Sequence, residues 1–356
     1  MSAEPLDQVA AAFNRFARVE TAGMLSPLYE QLARTVVADP SLCALAAEAL
    51  PGQPRPNMLF AAVQYLLEDF PRDALAAFYP SLTAVPVEGE PGPAFRSFCE
   101  RHRHAIVEIL HTRMVQTNEV RRSACLLPAF GTVAAATQAP LGLIEIGPSA
   151  GLNLLFDRYR YDYGAGGQVG DPESPVLDCE LRGEALPLTG GIPAVASRAG
   201  IDLNPLDLES APNRRWLRAL IWPEHRDRRL LLEAATSVAL RHPPRLVGGD
   251  VFELLPAEVA AVPPGAAVCV FATFVLNQFS ADMRTRLRSQ FIGLSDARDI
   301  HLVVMGTDEF VTGMIRNSED VALWLVRFSK GEETRRQLAE CNPHGRWMKW
   351  LPGEPR

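Results

Sequence analysis

Lysine is almost absent from this 356-residue chain: only Lys330 and Lys349 occur, and arginine carries nearly all of the positive charge. The 35 basic residues fall short of the 42 acidic ones, leaving a net charge of −7 at pH 7. A general nucleic-acid surface needs a basic excess, so no nucleic acid is expected among the partners. No apolar run reaches the length of about 18 residues that a membrane span requires, so no membrane is expected either. The opening MSAEPLDQVAAAFNRFARVE has acids and an amphipathic period where a signal peptide needs a basic end and an apolar core. The six cysteines (Cys43, Cys99, Cys125, Cys179, Cys269 and Cys341) form no C-x-x-C pair. That disfavours a compact zinc site or a disulfide framework and leaves buried or incidental thiols in a reducing, cytoplasmic setting. Nor do the histidines pair for a metal: His102 and His104, two apart on a helix, face different directions, and His111 lacks a third ligand.

What the chain does have is enough apolar residue, 47%, to bury a large core, and a length beyond one typical domain. From the start to about residue 137 apolar residues recur at three- and four-residue steps, as in LDQVAAAFNRFARVE and NMLFAAVQYLLEDF, with proline-rich breaks at 51–56 and 86–93. This predicts an all-helical N-terminal domain over 1–137. From Gly142 short apolar runs alternate with helical stretches, the order of a parallel sheet flanked by helices, which predicts an α/β domain over 138–356. LGLIEIG is its expected first strand and GLNLLFDRYRY the first helix. VASRAGID, PRLVGGD, AAVCVFATFVL and IHLVVMG follow as strands, NRRWLRALIWPEHRDRRLLLEAATSVAL is helical, and RRQLAECNPHGRWMKWL supplies a final antiparallel pair. A Gly/Pro-rich stretch at about 163–193 reads as an insertion over the strand ends.

The most informative segment is Leu143-Ile144-Glu145-Ile146-Gly147-Pro148-Ser149-Ala150-Gly151-Leu152-Asn153, where an apolar run ends in an acid and opens into a loop of small residues. Such residues let backbone N–H groups approach a ligand. A dinucleotide fingerprint is excluded, because its third small position falls on Leu152. The pattern Glu-x-Gly-x-Ser-x-Gly resembles instead the first motif of S-adenosylmethionine-dependent methyltransferases. That resemblance implies that Glu145, Gly147, Ser149 and Gly151 hold the methionine end of the cosubstrate. An acid at the tip of the second strand accepts from both ribose hydroxyls in nucleoside sites; Asp202 in AGIDLNP is the candidate, with Asp178 or Glu180 as the alternative if SPVLDCELRG forms that strand. In GGDVFELLP the resemblance implies that Asp250 meets the adenine amino group and Phe252 the ring, whereas a plain helix cap explains Asp250 equally well. Thr273 and Asn277, after the fourth strand, would border the transferred methyl group. His344 in CNPHGRWMKW would serve as general base.

EIGPSAGLNLLFDRYRYDYG, AGIDLNPLDL with WLRALIWPEHRDRR, and NPHGRWMKWL together resemble an uncharacterised bacterial domain-of-unknown-function family. This implies a Rossmann-like, methyltransferase-type sheet behind a helical N-terminal region. The expected function is S-adenosylmethionine-dependent methyl transfer to a small molecule or protein side chain. Two alternatives stand beside it: a non-catalytic nucleoside-sensing or protein-interaction module on the same fold, and a serine hydrolase using Ser149, since GPSAG also fits the G-x-S-x-G elbow. Two dense polar stretches, Gln116–Arg122 and Arg158–Tyr163, would line a substrate cleft or form solvated helix faces.

Overall fold

The computed structural model describes residues 5–21, 25–116, 118–183, 191–313 and 321–351, so residues 184–190 of the expected insertion lie outside the described residues. The chain is a mixed α/β protein with a helical N-terminal part and a large, mostly parallel sheet. It divides into two compact units, Met1–Thr117 with Glu209–Leu230, and Asn118–Leu208 with Leu231–Arg356. No helix among the described residues is long and apolar enough to cross a membrane.

The first unit contains the helices Leu6–Arg15, Pro27–Val37, Pro40–Ala47, Arg55–Leu67, Gly92–Arg101 and Arg103–Thr112, joined by Ala211–Ala219 from later in the chain. Two starts are fixed locally: the Ser26 hydroxyl accepts from the Tyr29 N–H ahead of Pro27, and the Asp39 carboxylate accepts from the Ser41 N–H ahead of Pro40. The centre is aromatic, with Phe60 stacked on Tyr29 at 4.6 Å and edge-on to Phe13 at 5.5 Å. Buried Gln64 fastens the later segment by donating to the carbonyls of Ala219 (2.9 Å) and Ile221 (2.7 Å). Trp216, 1% exposed, adds a bond from Nε1 to the Met114 carbonyl at 2.8 Å.

In the second unit the strands in chain order are β1 (Leu141–Ile146), β2 (Arg160–Asp162), β3 (Gln168–Val169), β4 (Val176–Asp178), β5 (Glu180–Gly183), β6 (Val195–Asp202), β7 (Arg245–Gly248), β8 (Ala267–Thr273), β9 (Ile300–Gly306), β10 (Val321–Ser329), β11 (Glu332–Cys341) and β12 (Trp347–Trp350). The nine-stranded sheet runs β5-β12-β11-β10-β9-β8-β1-β6-β7, and the stretch from β9 to β7 is parallel throughout. β1, β8 and β9 are buried at every position, as expected of strands covered on both faces. Strand order grows outward from β1 through β6 to β7 on one side and through β8 to β12 on the other, where β5 closes the edge. A crevice at the carboxyl ends of β1 and β8 is where such sheets take ligands.

Several elements differ from the sequence pattern. The helix Arg122–Thr137 belongs to this second unit; its Phe130 packs on Phe156 (4.7 Å) and Phe271 (5.2 Å). The expected helix GLNLLFDRYRY is only a short 3₁₀ stretch, Leu152–Arg158, broken at Leu155, after which the chain enters β2. Tyrosines at alternate positions explain the switch, because Tyr159, Tyr161 and Tyr163 all turn inward at strand period. Their hydroxyls donate to the carbonyls of Leu152 (2.8 Å) and Phe156 (2.5 Å) in the short 3₁₀ stretch, and of Ala124 (2.7 Å), whose partner one helical turn on would be Pro128, which has no N–H to give. Tyr163→Phe, which strands the Ala124 carbonyl, is expected to lower stability by about 1–2 kcal/mol in urea unfolding. β3 and β4, within the expected insertion, make a small separate sheet with β2, which precedes it. β10 has no counterpart among the expected strands, although Lys330-Gly331, both left-handed (φ +51° and +80°), turn it directly into β11. It inserts antiparallel between β9 and the β11–β12 hairpin.

Candidate functional site

Glu145 closes β1 within one residue of its end, and β6 runs one residue farther, so that Glu145 sits opposite Gly200 and Asp202 stands just past the tip. Gly200 is required there: a Cβ would lie 2.6 Å from the Pro148 ring, which folds back over the strand. The loop that follows β1 carries three left-handed residues, Gly147 (φ +70°), Ser149 (φ +54°) and Gly151 (φ +72°). Glycine adopts that region freely and serine at a cost, so Ser149 is held by its surroundings. The Asp202 carboxylate accepts its N–H at 2.8 Å, and the Asn118 amide donates to its hydroxyl.

Every backbone N–H of this loop is committed to a protein acceptor. Gly147 donates to the Ile201 carbonyl (2.9 Å), Ser149 to Asp202, Ala150 to Asn118 Oδ1 (3.2 Å) and Gly151 to the Pro148 carbonyl (2.8 Å), while residue 148 is proline and has none. The loop is therefore not an anion cradle of the kind a phosphate uses. It presents carboxylates. Glu145, 1% exposed, keeps one oxygen, Oε2, without a hydrogen-bond partner among the described residues. Its other support is a hydrogen bond with Asn153, which in turn accepts from the Ser123 hydroxyl at 2.8 Å. Burial raises the Glu145 carboxyl to about 8, and the nearby Asp202 charge adds to the rise, while Arg122 and Asn153 oppose it. Asp202 is half-buried; each oxygen accepts one backbone N–H, from Ser149 and from Asn204 (2.8 Å), which leaves lone pairs on both for a further donor.

The remaining sequence candidates sit on other elements. Asp250 caps the helix Val251–Ala261 by accepting from the Phe252 N–H (2.9 Å), next to the β7 end that pairs with Asp202. Phe252 is only 7% exposed and lies in the apolar cluster, with the Arg286 guanidinium 4.2 Å over its ring. Thr273 is buried at the end of β8, whereas Asn277 is exposed and accepts from the Thr307 hydroxyl at 3.0 Å. Asp178 and Glu180 are exposed in β4 and β5; β5 lies at the sheet edge opposite β7, so the strand neighbouring β1 contributes Asp202. His344 lies in the turn between β11 and β12, with its Nδ1 3.0 Å from Glu119 Oε2. Ser149 Oγ is partnered by Asn118.

Asn118, Glu119 and Arg122, from the polar stretch expected either to line a cleft or to form a solvated face, complete the arrangement together with Asn153. Arg122 donates from Nε to the Pro343 carbonyl (2.9 Å) and lays its guanidinium 4.1 Å over Phe274, the left-handed residue (φ +65°) that follows β8. The segment before the helix Arg122–Thr137 thus touches the β1 loop, the β8 end and the β11–β12 turn together. Its signal in the sequence was the polar run beginning at Gln116, which identifies no partners by itself.

The model of a protein family described as "Uncharacterized protein conserved in bacteria (DUF2332)" matches residues 10–350. No curated protein and no solved structure matches the chain.

Proposed function

We propose for this chain, which belongs to the bacterial DUF2332 family, the activity of an S-adenosylmethionine-dependent methyltransferase on a Rossmann-like sheet. The observation that carries the reading is the pair of carboxylates at the ends of β1 and β6, one of them with an orphaned buried oxygen, beside a loop whose N–H groups are all spent. Such a site rewards a ligand that donates hydrogen bonds and carries positive charge. S-adenosylmethionine has an ammonium, a sulfonium and two ribose hydroxyls, whereas a phosphate ligand brings only acceptors and negative charge.

The residues present fit that group in part. Glu145 Oε2 would meet the ammonium end, close to Gly147, Ser149 and Gly151. The open lone pairs of Asp202 would take the ribose hydroxyls. Asp250 stands at the next strand end for the adenine side, and Phe252, inward and covered by Arg286, would back that wall without lying flat on the ring. Arg122 offers a cation for the cosubstrate carboxylate, and Thr273 lies at the end of β8 next to Phe274.

S-adenosylmethionine supplies, when bound, a methyl group on a cationic sulfur that needs no further activation. The chain's contribution is orientation and exclusion of water, with at most one proton to remove from the acceptor. Isothermal titration calorimetry tests the reading: S-adenosylmethionine and S-adenosylhomocysteine are each expected to bind with micromolar Kd. Absence of both heats would end it in favour of a non-catalytic module. The methyl acceptor, a small molecule or a protein side chain, is the remaining partner.

A further inference from the structure

The polar groups around the turn between β11 and β12 include a pair, Glu119 and His344, that the binding of the cosubstrate does not use. Glu119 is 3% exposed, and its carboxylate reaches the imidazole Nδ1 of His344 at 3.0 Å, while the His344 side chain is 42% exposed. A carboxylate hidden from water thus holds one nitrogen of a ring that is itself partly exposed. The turn is clamped from three directions. His344 N–H donates to Asn342 Oδ1 at 3.0 Å, Arg122 Nε holds the Pro343 carbonyl, and Gly345 (φ +71°) comes so near the Arg121 backbone that a Cβ would lie 2.4 Å from its carbonyl oxygen. Arg122, through its contact with Phe274, ties the same turn to the end of β8.

We propose that Glu119 and His344 form the proton-accepting pair of the active site, and that the methyl acceptor is therefore an oxygen or nitrogen nucleophile that still carries its proton. The inference rests on the methyltransferase reading. Glu119 accepts from Nδ1–H and fixes the tautomer, which leaves His344 Nε2 as the base. As the acceptor's lone pair bonds to the methyl carbon, the acceptor's proton passes to Nε2 and the electron pair of the breaking carbon–sulfur bond stays on sulfur. The imidazolium so formed is stabilised by Glu119, which does not take the proton itself. Glu119 is thus a positioning residue, and His344 the group that touches the acceptor. Glu119 lies against the ring, Arg122 is held on the neighbouring Pro343 carbonyl, and Arg121 is ion-paired with Asp178 at 3.2 Å; with charges of both signs near the turn, the pair's effect on protonation is measured as a difference between variants.

The full chain is titrated by NMR of its imidazole resonances, with His344→Gln identifying the His344 signal. Wild type is expected to hold the His344 proton about tenfold more tightly than Glu119→Gln, and Glu119→Asp to restore part of that difference. Equal midpoints in wild type and Glu119→Gln would overturn the pair, because a purely structural clamp alters unfolding temperature without setting ring protonation. S-adenosylhomocysteine is then added. A shift of the His344 signal supports its place at the reacting end; calorimetric binding with no change at His344 overturns that place while leaving the methyltransferase reading intact. No calorimetric binding overturns the methyltransferase reading and the catalytic role together, and the midpoints still decide whether the pair exists.

Discussion

Glu145→Gln is expected to raise the stability of the protein at pH 8–9 by up to about 4–5 kcal/mol and to leave it nearly unchanged at pH 4. The carboxyl is fully buried and its proton is held up to about 8, against 4.5 for an ordinary glutamate, chiefly by desolvation and secondarily by Asp202. Below the ordinary value both folded and unfolded chains carry the proton, and burial of a neutral acid costs little. Between the two values the unfolded chain ionises and the folded one does not, so stability falls steadily as pH rises. Above about 8 both are ionised, and the folded state carries the full penalty of a buried charge with one oxygen unpartnered. Glutamine has the same shape and no charge, and so removes the slope. Urea unfolding of both proteins from pH 4 to pH 9 checks this, and parallel curves would refute the account of Glu145. The same substitution is expected to weaken S-adenosylhomocysteine binding, since the residue that costs stability would supply, on giving up its proton as the ligand binds, the negative charge opposite an ammonium, a familiar trade between stability and function.

Asp202→Ala is expected to lower the affinity for S-adenosylhomocysteine at least 100-fold. Two charge-assisted hydrogen bonds to ribose hydroxyls, at about 1.5–3 kcal/mol each, would be lost. The substitution also removes the acceptor of the Ser149 and Asn204 N–H groups, and with it the restraint that keeps Ser149 at φ +54°. Asp202→Asn separates the two effects: it keeps one oxygen, and so holds the loop better than alanine, but its amide donates where the ribose needs an acceptor. Calorimetry with circular dichroism on both variants distinguishes lost contacts from lost structure. Retention of the wild-type Kd within threefold by the folded Asn variant would remove Asp202 from the binding site.

The parallel strands were readable because each is a short apolar run with turn residues at its ends: LGLIEI, VASRAGID, RLVG, AVCVFAT and IHLVVMG all lie in the large sheet. The acids at the ends of the first two were readable for the same reason, since a polar residue at the end of a buried strand has few places to go. Helical period did not reveal which unit a helix joins. Arg122–Thr137 continues the pattern of the helices before it, yet its apolar residues, Phe130 among them, pack in the second unit. The run after Gly151 has helical spacing as well, and only the tyrosine hydroxyls, each seeking a carbonyl, show why it becomes a strand. Least readable were the partners of single polar groups. Glu119 and His344 stand 225 positions apart, and their meeting follows from where the β11–β12 turn lands.

The first unit is built from two stretches of chain, Met1–Thr117 and Glu209–Leu230, with Gln64 and Trp216 joining them. On the ribosome its helices must wait for the second stretch. At about 5–20 residues per second, roughly 100 intervening residues mean a delay of about 5–20 s, during which the pocket later filled by Trp216 stays open. The apolar faces of the nascent N-terminal helices are incompletely covered for that interval, and the β1 and β6 segments leave the tunnel before the helical unit can close.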